Sequence, residues 1–254
     1  RLHYMPLKKE NDYLIDFDAI PEEVARAAKM MVVSYPNNPT TAIAPGWFYE
    51  KLIAFAKKYE IAVVHDNAYS ELAFGMETSG SFLQYPGAKE VGVEFNSLSK
   101  TYGLAGARIG FCIGNREIVE KLTALKSNTD YGMFLPVQKA AIAAITGDQS
   151  CVKTTREAYQ KRRDCFCEGM TSIGWKIGKC PATMFVWAPI PAAYDSSVEF
   201  SARLLDRAGV VVTPGSAFGP SGEGFVRVAL VQDEEQILRA VELVRDSHVL
   251  DGPA

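Results

Sequence analysis

Twelve consecutive residues, Ser97-Leu98-Ser99-Lys100-Thr101-Tyr102-Gly103-Leu104-Ala105-Gly106-Ala107-Arg108, place a lysine, an arginine and several hydroxyls directly after an apolar run. Such a set suits a phosphorylated aldehyde. Lys100 supplies an amine that condenses with the aldehyde, while the Arg108 guanidinium fork and the short Ser97 hydroxyl match phosphate oxygens. By itself the segment reads more readily as a solvated loop with a helix cap. Two further segments, each at the end of its own apolar run, carry the remaining groups that such a ligand needs.

A pyridine-aldehyde cofactor needs a carboxylate at its ring nitrogen and donors at its phenolic oxygen. Asp66, in His65-Asp66-Asn67-Ala68-Tyr69, is the candidate carboxylate, and an anion beside a pyridinium keeps the ring protonated. Tyr69 follows on the turn leaving the same run, and Asn38 lies in Tyr35-Pro36-Asn37-Asn38-Pro39-Thr40. Both are candidate donors to the ring oxygen. Singly, each has a plainer reading as a turn residue, a cap or packing. Arg227, inside the apolar run Phe225-Val226-Arg227-Val228-Ala229, is costly to bury unless paired, either in a structural ion pair or as a clamp for a substrate carboxylate. The clamp is the favoured reading.

These residues sit where a strand-helix-strand alternation would put them. Apolar runs at Met30 to Tyr35, Ile61 to Val64, Val91 to Ser97 and Ile109 to Ile113 predict strands. Trp47 to Tyr59, Asn115 to Lys126 and Val137 to Ile145 carry helical spacing or capping signals. The expected fold is α/β, a mostly parallel sheet with helices on both faces, whose ligands gather at the carboxyl ends of the strands. Beyond Gly147 the pattern changes to α+β. Helices are expected at Cys151 to Met170, Ser197 to Ala208 and Asp233 to Asp246, and strands at Thr183 to Trp187, Val210 to Val212 and Phe225 to Ala229. Two domains follow, residues 1–147 and a smaller one over 148–254. The glycine-rich stretch Gly215 to Gly224 lacks the ending of a P-loop and is expected to be a flexible connection beside the site.

Composition narrows the class. With 254 residues, 48% hydrophobic, 22% charged and a net charge of −3, the chain is an ordinary globular one and not a nucleic-acid binder. No apolar run reaches the length of a membrane helix, and the start has no signal-peptide core, so a cytoplasmic location is expected. Five cysteines without a Cys-x-x-Cys pair and three scattered histidines favour neither a disulfide framework nor a metal site.

Taken in order, the Tyr35–Thr40, His65–Tyr69, Ser97–Lys100 with Arg108, and Phe225–Leu230 motifs resemble the class I/II aminotransferases of the pyridoxal-phosphate fold type I superfamily. Within that group they look most like the LL-diaminopimelate and related alanine or aspartate aminotransferase branch. The resemblance implies that pyridoxal 5'-phosphate is held in a Schiff base by Lys100, which also shuttles the proton between the substrate's alpha carbon and the cofactor. It implies Asp66 at the ring nitrogen, Asn38 and Tyr69 at the phenolic oxygen, Ser97 and Arg108 at the phosphate, and Arg227 with Asn38 at the substrate carboxylate. Lys100, Asp66 and Tyr69 are thereby the expected catalytic residues. The reaction would be a ping-pong transamination between an amino acid and a 2-oxo acid, in a cytoplasmic enzyme that is a homodimer at full length. Thr41 stands where many relatives have glycine.

The family's usual length implies that about the first third of the fold is missing. Residues 1–147 would then be the C-terminal part of the large cofactor domain, and a fragment lacking the rest is expected to be poorly active. A carbon-sulfur beta-lyase using the same lysine, or a non-catalytic aminotransferase-like regulator domain, are the alternative readings.

Overall fold

The computed structural model describes residues 1–76 and 78–252. By internal contacts the chain divides into two compact units, one made of residues 1–37 and 42–156, the other of 38–41 and 157–254.

The first unit is built on a four-stranded sheet. Strand β1 (Met30–Ser34) alternates strictly, with Met31 and Val33 buried and Met30 and Val32 exposed, as a period of two requires when one face meets a core. The turn residues Pro36 to Pro39 end it. After the short helix α1 (Glu22–Ala27) and β1 comes α2 (Gly46–Tyr59), whose Phe48, Tyr49, Leu52, Ile53 and Ala56 form one buried stripe at helical spacing. Lys57 and Lys58 lie in its last turn, where cations complement the helix dipole, and Glu60 stops it in the left-handed conformation. The stripe packs on Met31, Val33 and Val63 of the sheet. Phe48 and Leu52 are completely enclosed, each such burial contributing about 1.5–3 kcal/mol.

Strands β2 (Ala62–Asp66) and β3 (Gly92–Ser97) continue the sheet in parallel, and β4 (Gly110–Gly114) closes it antiparallel, in the order β1-β2-β3-β4. The short helix α3 (Ala88–Val91) leads into β3. Between β3 and β4 lies α4 (Leu98–Thr101), and α5 (Arg116–Thr129), α6 (Leu135–Thr146) and the first part of α7 (Ser150–Ser172) follow. The mostly parallel sheet agrees with the expectation. Because β1, β2 and β3 run the same way, Asp66 and Ser97 emerge at the same edge. Asp66 pairs with Phe95, so Ser97, two residues on, shares its sheet face.

The second unit holds a three-stranded antiparallel sheet, order β5-β7-β6, from β5 (Phe185–Pro189), β6 (Thr213–Pro214) and β7 (Phe225–Ala229). Its core joins Phe166 and Met170 of α7 to Trp175, Val186, Val226 and Leu230, with Phe200 and Leu204 of α8 (Ser197–Ala208) and Val244 of α9 (Glu234–Asp246). Ser196 and Asp233 cap α8 and α9 with side-chain acceptors, and Gly209 ends α8 at φ 65°.

Two local expectations change. The strand expected at Val210–Val212 is displaced to Thr213–Pro214, because the Val210 N–H is used to close α8 on the Leu204 carbonyl and Val211 points outward. The glycine-rich stretch before β7 is not slack but two consecutive 3-10 turns, Gly215–Phe218 and Pro220–Gly222. Among the described residues no helix is long and apolar enough to cross a membrane.

Candidate active site

In the first unit the site begins with a closed loop. Ser97 pairs with Gly110 across β3 and β4, and the Leu98 N–H reaches the Ile109 carbonyl at 3.3 Å. The residues between are therefore anchored at both ends, and Lys100 and Arg108 belong to one compact loop. Ser97 caps α4 with its hydroxyl, which accepts from the Ser99 N–H at 3.2 Å. That single helical turn projects Lys100, whose Nζ lies 6.0 Å from the centroid of the Tyr69 ring, at the outer limit of a cation–π contact. Tyr69 itself is buried. Asp66 is exposed at the end of β2, and its Oδ1 accepts from the Ala68 N–H at 3.2 Å, forming the turn that carries the chain to Tyr69. Arg108 adopts a left-handed backbone (φ 51°) and donates from Nη1 to the Ala105 carbonyl at 3.0 Å.

Beneath these strand ends is a buried polar group that the sequence reading missed. Register places His65 opposite Glu94, and His65 Nδ1 lies 3.1 Å from Glu94 Oε2, with both side chains almost completely enclosed. Glu94 also accepts from the Ser81 hydroxyl (2.8 Å), the Phe82 N–H (2.9 Å) and the Asn96 amide (2.8 Å), while the far nitrogen of His65 lies 3.4 Å from the Tyr49 hydroxyl. Burial alone would raise the Glu94 carboxyl, but the hydrogen bonds from His65 and Asn96 outweigh it and hold the group at about 2. The signal was present as a glutamate interrupting the apolar β3 run, one strand over from a histidine. A cavity of about 470 Å³ in the same unit is lined by Asn96, Ser97, Thr101, Tyr102 and Gln149 among others. Of the expected site residues, Ser97 belongs to that lining among the described residues.

The second unit holds Arg227 together with Asn38. Arg227 lies on β7 opposite Trp187 of β5 and Thr213 of β6. Its Nη1 donates to Asn38 Oδ1 at 3.1 Å and its Nη2 to the Thr213 hydroxyl at 3.4 Å. The guanidinium carbon lies 4.3 Å from the Phe185 ring centroid and 4.7 Å from that of Phe218. With its oxygen turned to a cation, the Asn38 amide presents its NH2 as donor on the other side. The aromatic setting of Arg227 was not legible in the sequence, because Phe185 comes from a strand 42 positions away and Phe218 is brought in by the folding of the turn before β7.

The Aminotransferase class I and II family matches residues 1–244. The chain belongs to that family. It is 51% identical over 243 residues to the LL-diaminopimelate aminotransferase of Syntrophobacter fumaroxidans, covering 96% of this chain and 62% of that protein. It is 46% identical to the LL-diaminopimelate aminotransferase of Moorella thermoacetica over the same shares. Among solved structures, the apo form of BacF from Bacillus subtilis superposes with a TM-score of 0.93 at 40% identity, covering 97% of this chain and 63% of that one. The chain thus spans about three fifths of the length of the curated relatives it matches. This aminotransferase-family chain keeps the four motifs in the order that the resemblance required.

Proposed function

We propose that this chain carries the cofactor lysine and the substrate arginine of a pyridoxal-phosphate-dependent aminotransferase that passes an amino group from an amino acid to a 2-oxo acid. The observation that supports it most is the Lys100 amine beside the Tyr69 ring, in a loop closed by β3 and β4, with Asp66 and Ser97 on one sheet face at the same edge. The donor set fits the cofactor's chemistry: an amine for its aldehyde, a carboxylate for its ring nitrogen, a phenol and an amide for its ring oxygen, and a hydroxyl with a guanidinium for its phosphate. In this reading Lys100, Asp66, Tyr69, Asn38, Ser97 and Arg108 hold it. When bound, pyridoxal phosphate supplies an electron sink for a carbanion at the substrate's alpha carbon.

The protein's own groups do the rest. Asp66 holds the proton at the ring nitrogen, Tyr69 and the Asn38 amide donate to the ring oxygen, and the Lys100 amine moves the proton at the alpha carbon. Arg227 binds the substrate's alpha-carboxylate, which its fork fits bidentately. Cofactor binding falls to the domain assigned to residues 1–147 and the carboxylate clamp to that assigned to 148–254. The first donor to test is LL-diaminopimelate, since relatives at 44–51% identity bear that name. The resemblance further supports a homodimer in the cytoplasm.

Two measurements test this reading in the full-length protein. Borohydride reduction in the presence of pyridoxal phosphate, followed by peptide mapping, is expected to label Lys100, and a label on another lysine overturns the site. LL-diaminopimelate with 2-oxoglutarate is expected to yield glutamate. With cystathionine as substrate, release of a thiol, pyruvate and ammonia without amine transfer overturns transamination in favour of elimination.

A further inference from the structure

The glycine-rich stretch before β7 is folded onto itself. A side chain on Gly215 would lie 2.6 Å from the Phe225 carbonyl oxygen and well inside contact with that of Gly222, and one on Gly222 would collide with the Gly215 carbonyl in turn. Both glycines are required because the two 3-10 turns meet backbone to backbone. Gly219, at φ 116°, makes the bend between them.

One carboxylate ties this double turn to α8. Glu223 Oε1 accepts the N–H of Ser197 at 2.6 Å and that of Gly224 at 2.8 Å. The Ser197 hydroxyl lies 3.1 Å from Glu223 Oε2 and 3.2 Å from the Ser216 hydroxyl. Ser197 is completely buried and opens α8, whose N-terminal dipole favours the anion. The N–H of Ser216, in the first of the two turns, also points at the Ser197 hydroxyl at 3.4 Å. Glu223 at the end of the loop and Ser216 near its start are thus held on one serine.

Between those anchor points stands Phe218. Its ring meets Trp187 edge-on at 5.9 Å, and Trp187 stacks on Phe225 at 5.1 Å. The Phe218 and Phe185 rings both lie against the Arg227 guanidinium, at 4.7 and 4.3 Å. A planar cation packed on aromatic rings is restrained in tilt, while Asn38 and Thr213 hold its Nη1 and Nη2 by hydrogen bonds.

We propose that Glu223 is a positioning residue: by locking the Gly215–Gly224 double turn to Ser197 it holds Phe218 against Arg227, and so presets the guanidinium for the substrate carboxylate. The inference rests on the reading of Arg227 as the carboxylate clamp. A carboxylate that merely capped α8 would support stability and leave carboxylate affinity untouched.

The test uses the full-length enzyme with the amino donor identified by the transfer assay, and pimelate as a non-reacting carboxylate probe. Glu223→Ala and Phe218→Leu are each expected to raise KM and the pimelate inhibition constant about five- to tenfold while kcat stays within about twofold. Glu223→Gln, which keeps an acceptor oxygen, is expected to restore affinity, and the double variant is expected to be no worse than either single one. Wild-type affinity in Phe218→Leu, or strictly additive effects in the double variant, overturns the proposal. Should Glu223→Ala fail to fold by circular dichroism, Glu223→Asp takes its place in the cycle with the same expected and overturning results. Arg227→Lys separates the two readings. If it leaves pimelate affinity unchanged the clamp itself is wrong, whereas if it weakens pimelate and Phe218→Leu does not, only the positioning role fails.

Discussion

Glu94 shows how one residue's chemistry depends on neighbours that the chain brings from elsewhere. Its carboxyl, held at about 2, receives hydrogen bonds from His65, Ser81, Phe82 and Asn96, so it remains ionised in a nearly dry place. A carboxyl depressed in the folded state stabilises the fold above its unfolded value, near 4.3, and that contribution is lost as pH falls toward 2. Glu94→Gln is therefore expected to lower stability at pH 7 by about 1–3 kcal/mol and to flatten the pH dependence of urea midpoints below pH 4.5. An unchanged slope would mean that another carboxylate carries the acid sensitivity. The cysteines make a second residue-scale case. Burial pushes the Cys167 thiol up to about 12 while Cys151 is exposed, so iodoacetamide at neutral pH is expected to modify Cys151 first and Cys167 only on unfolding, as mass spectrometry of timed samples would show.

At the scale of elements, the strands of the first unit and the long helices could be read from periodicity, whereas the short pieces that hold the site could not. Met31 and Val33 alternate with exposed neighbours, and α2 carries its stripe at helical spacing, so both declare themselves locally. The four-residue helix α4 does not. It exists because Ser97 caps it and because Ser97 and Gly110 pin its loop from both ends. The double turn at Gly215–Gly222 is likewise a product of backbone packing, which a glycine count alone read as slack. Gly222→Ala is expected to cost at least about 3 kcal/mol, since backbone must move to admit the methyl. Ser196→Ala, which removes only the cap of α8, is expected to cost about 1 kcal/mol. Thermal melts of the two variants would rank them, and a Gly222→Ala protein as stable as Ser196→Ala would show that the loop relaxes.

For the molecule as a whole, the exposed side of the four-stranded sheet is the informative surface. Met30 and Val32 alternate with the buried residues of β1, and with Phe95 of β3 they remain from 37% to 61% exposed, as large apolar side chains on one side of the sheet. A patch of this kind invites association or dye binding. The chain of 254 residues, produced by itself, is expected to bind an apolar fluorophore in its native state and to self-associate as concentration rises. Sedimentation velocity would check this, and a monodisperse monomer without dye binding would refute it. The expected poor activity of the chain alone belongs to the same scale, because the chain spans about three fifths of its relatives' length.

The order Asn38, Asp66, Tyr69, Ser97, Lys100, Arg108, Arg227, with all but Arg227 near the end of an apolar run, was enough to reach the family and the α/β class from sequence alone. That is possible because side-chain chemistry and the periods of two and 3.6 are local properties of the chain. Only the tertiary structure decided that Lys100 lies beside Tyr69, that Glu94 bonds to His65 across the sheet, and that Arg227 lies against Phe185 and Phe218. Those contacts join residues up to 42 positions apart, as with Arg227 and Phe185. They are set by strand register, loop closure and ring packing, none of which leaves a mark in the spacing of residues along the chain.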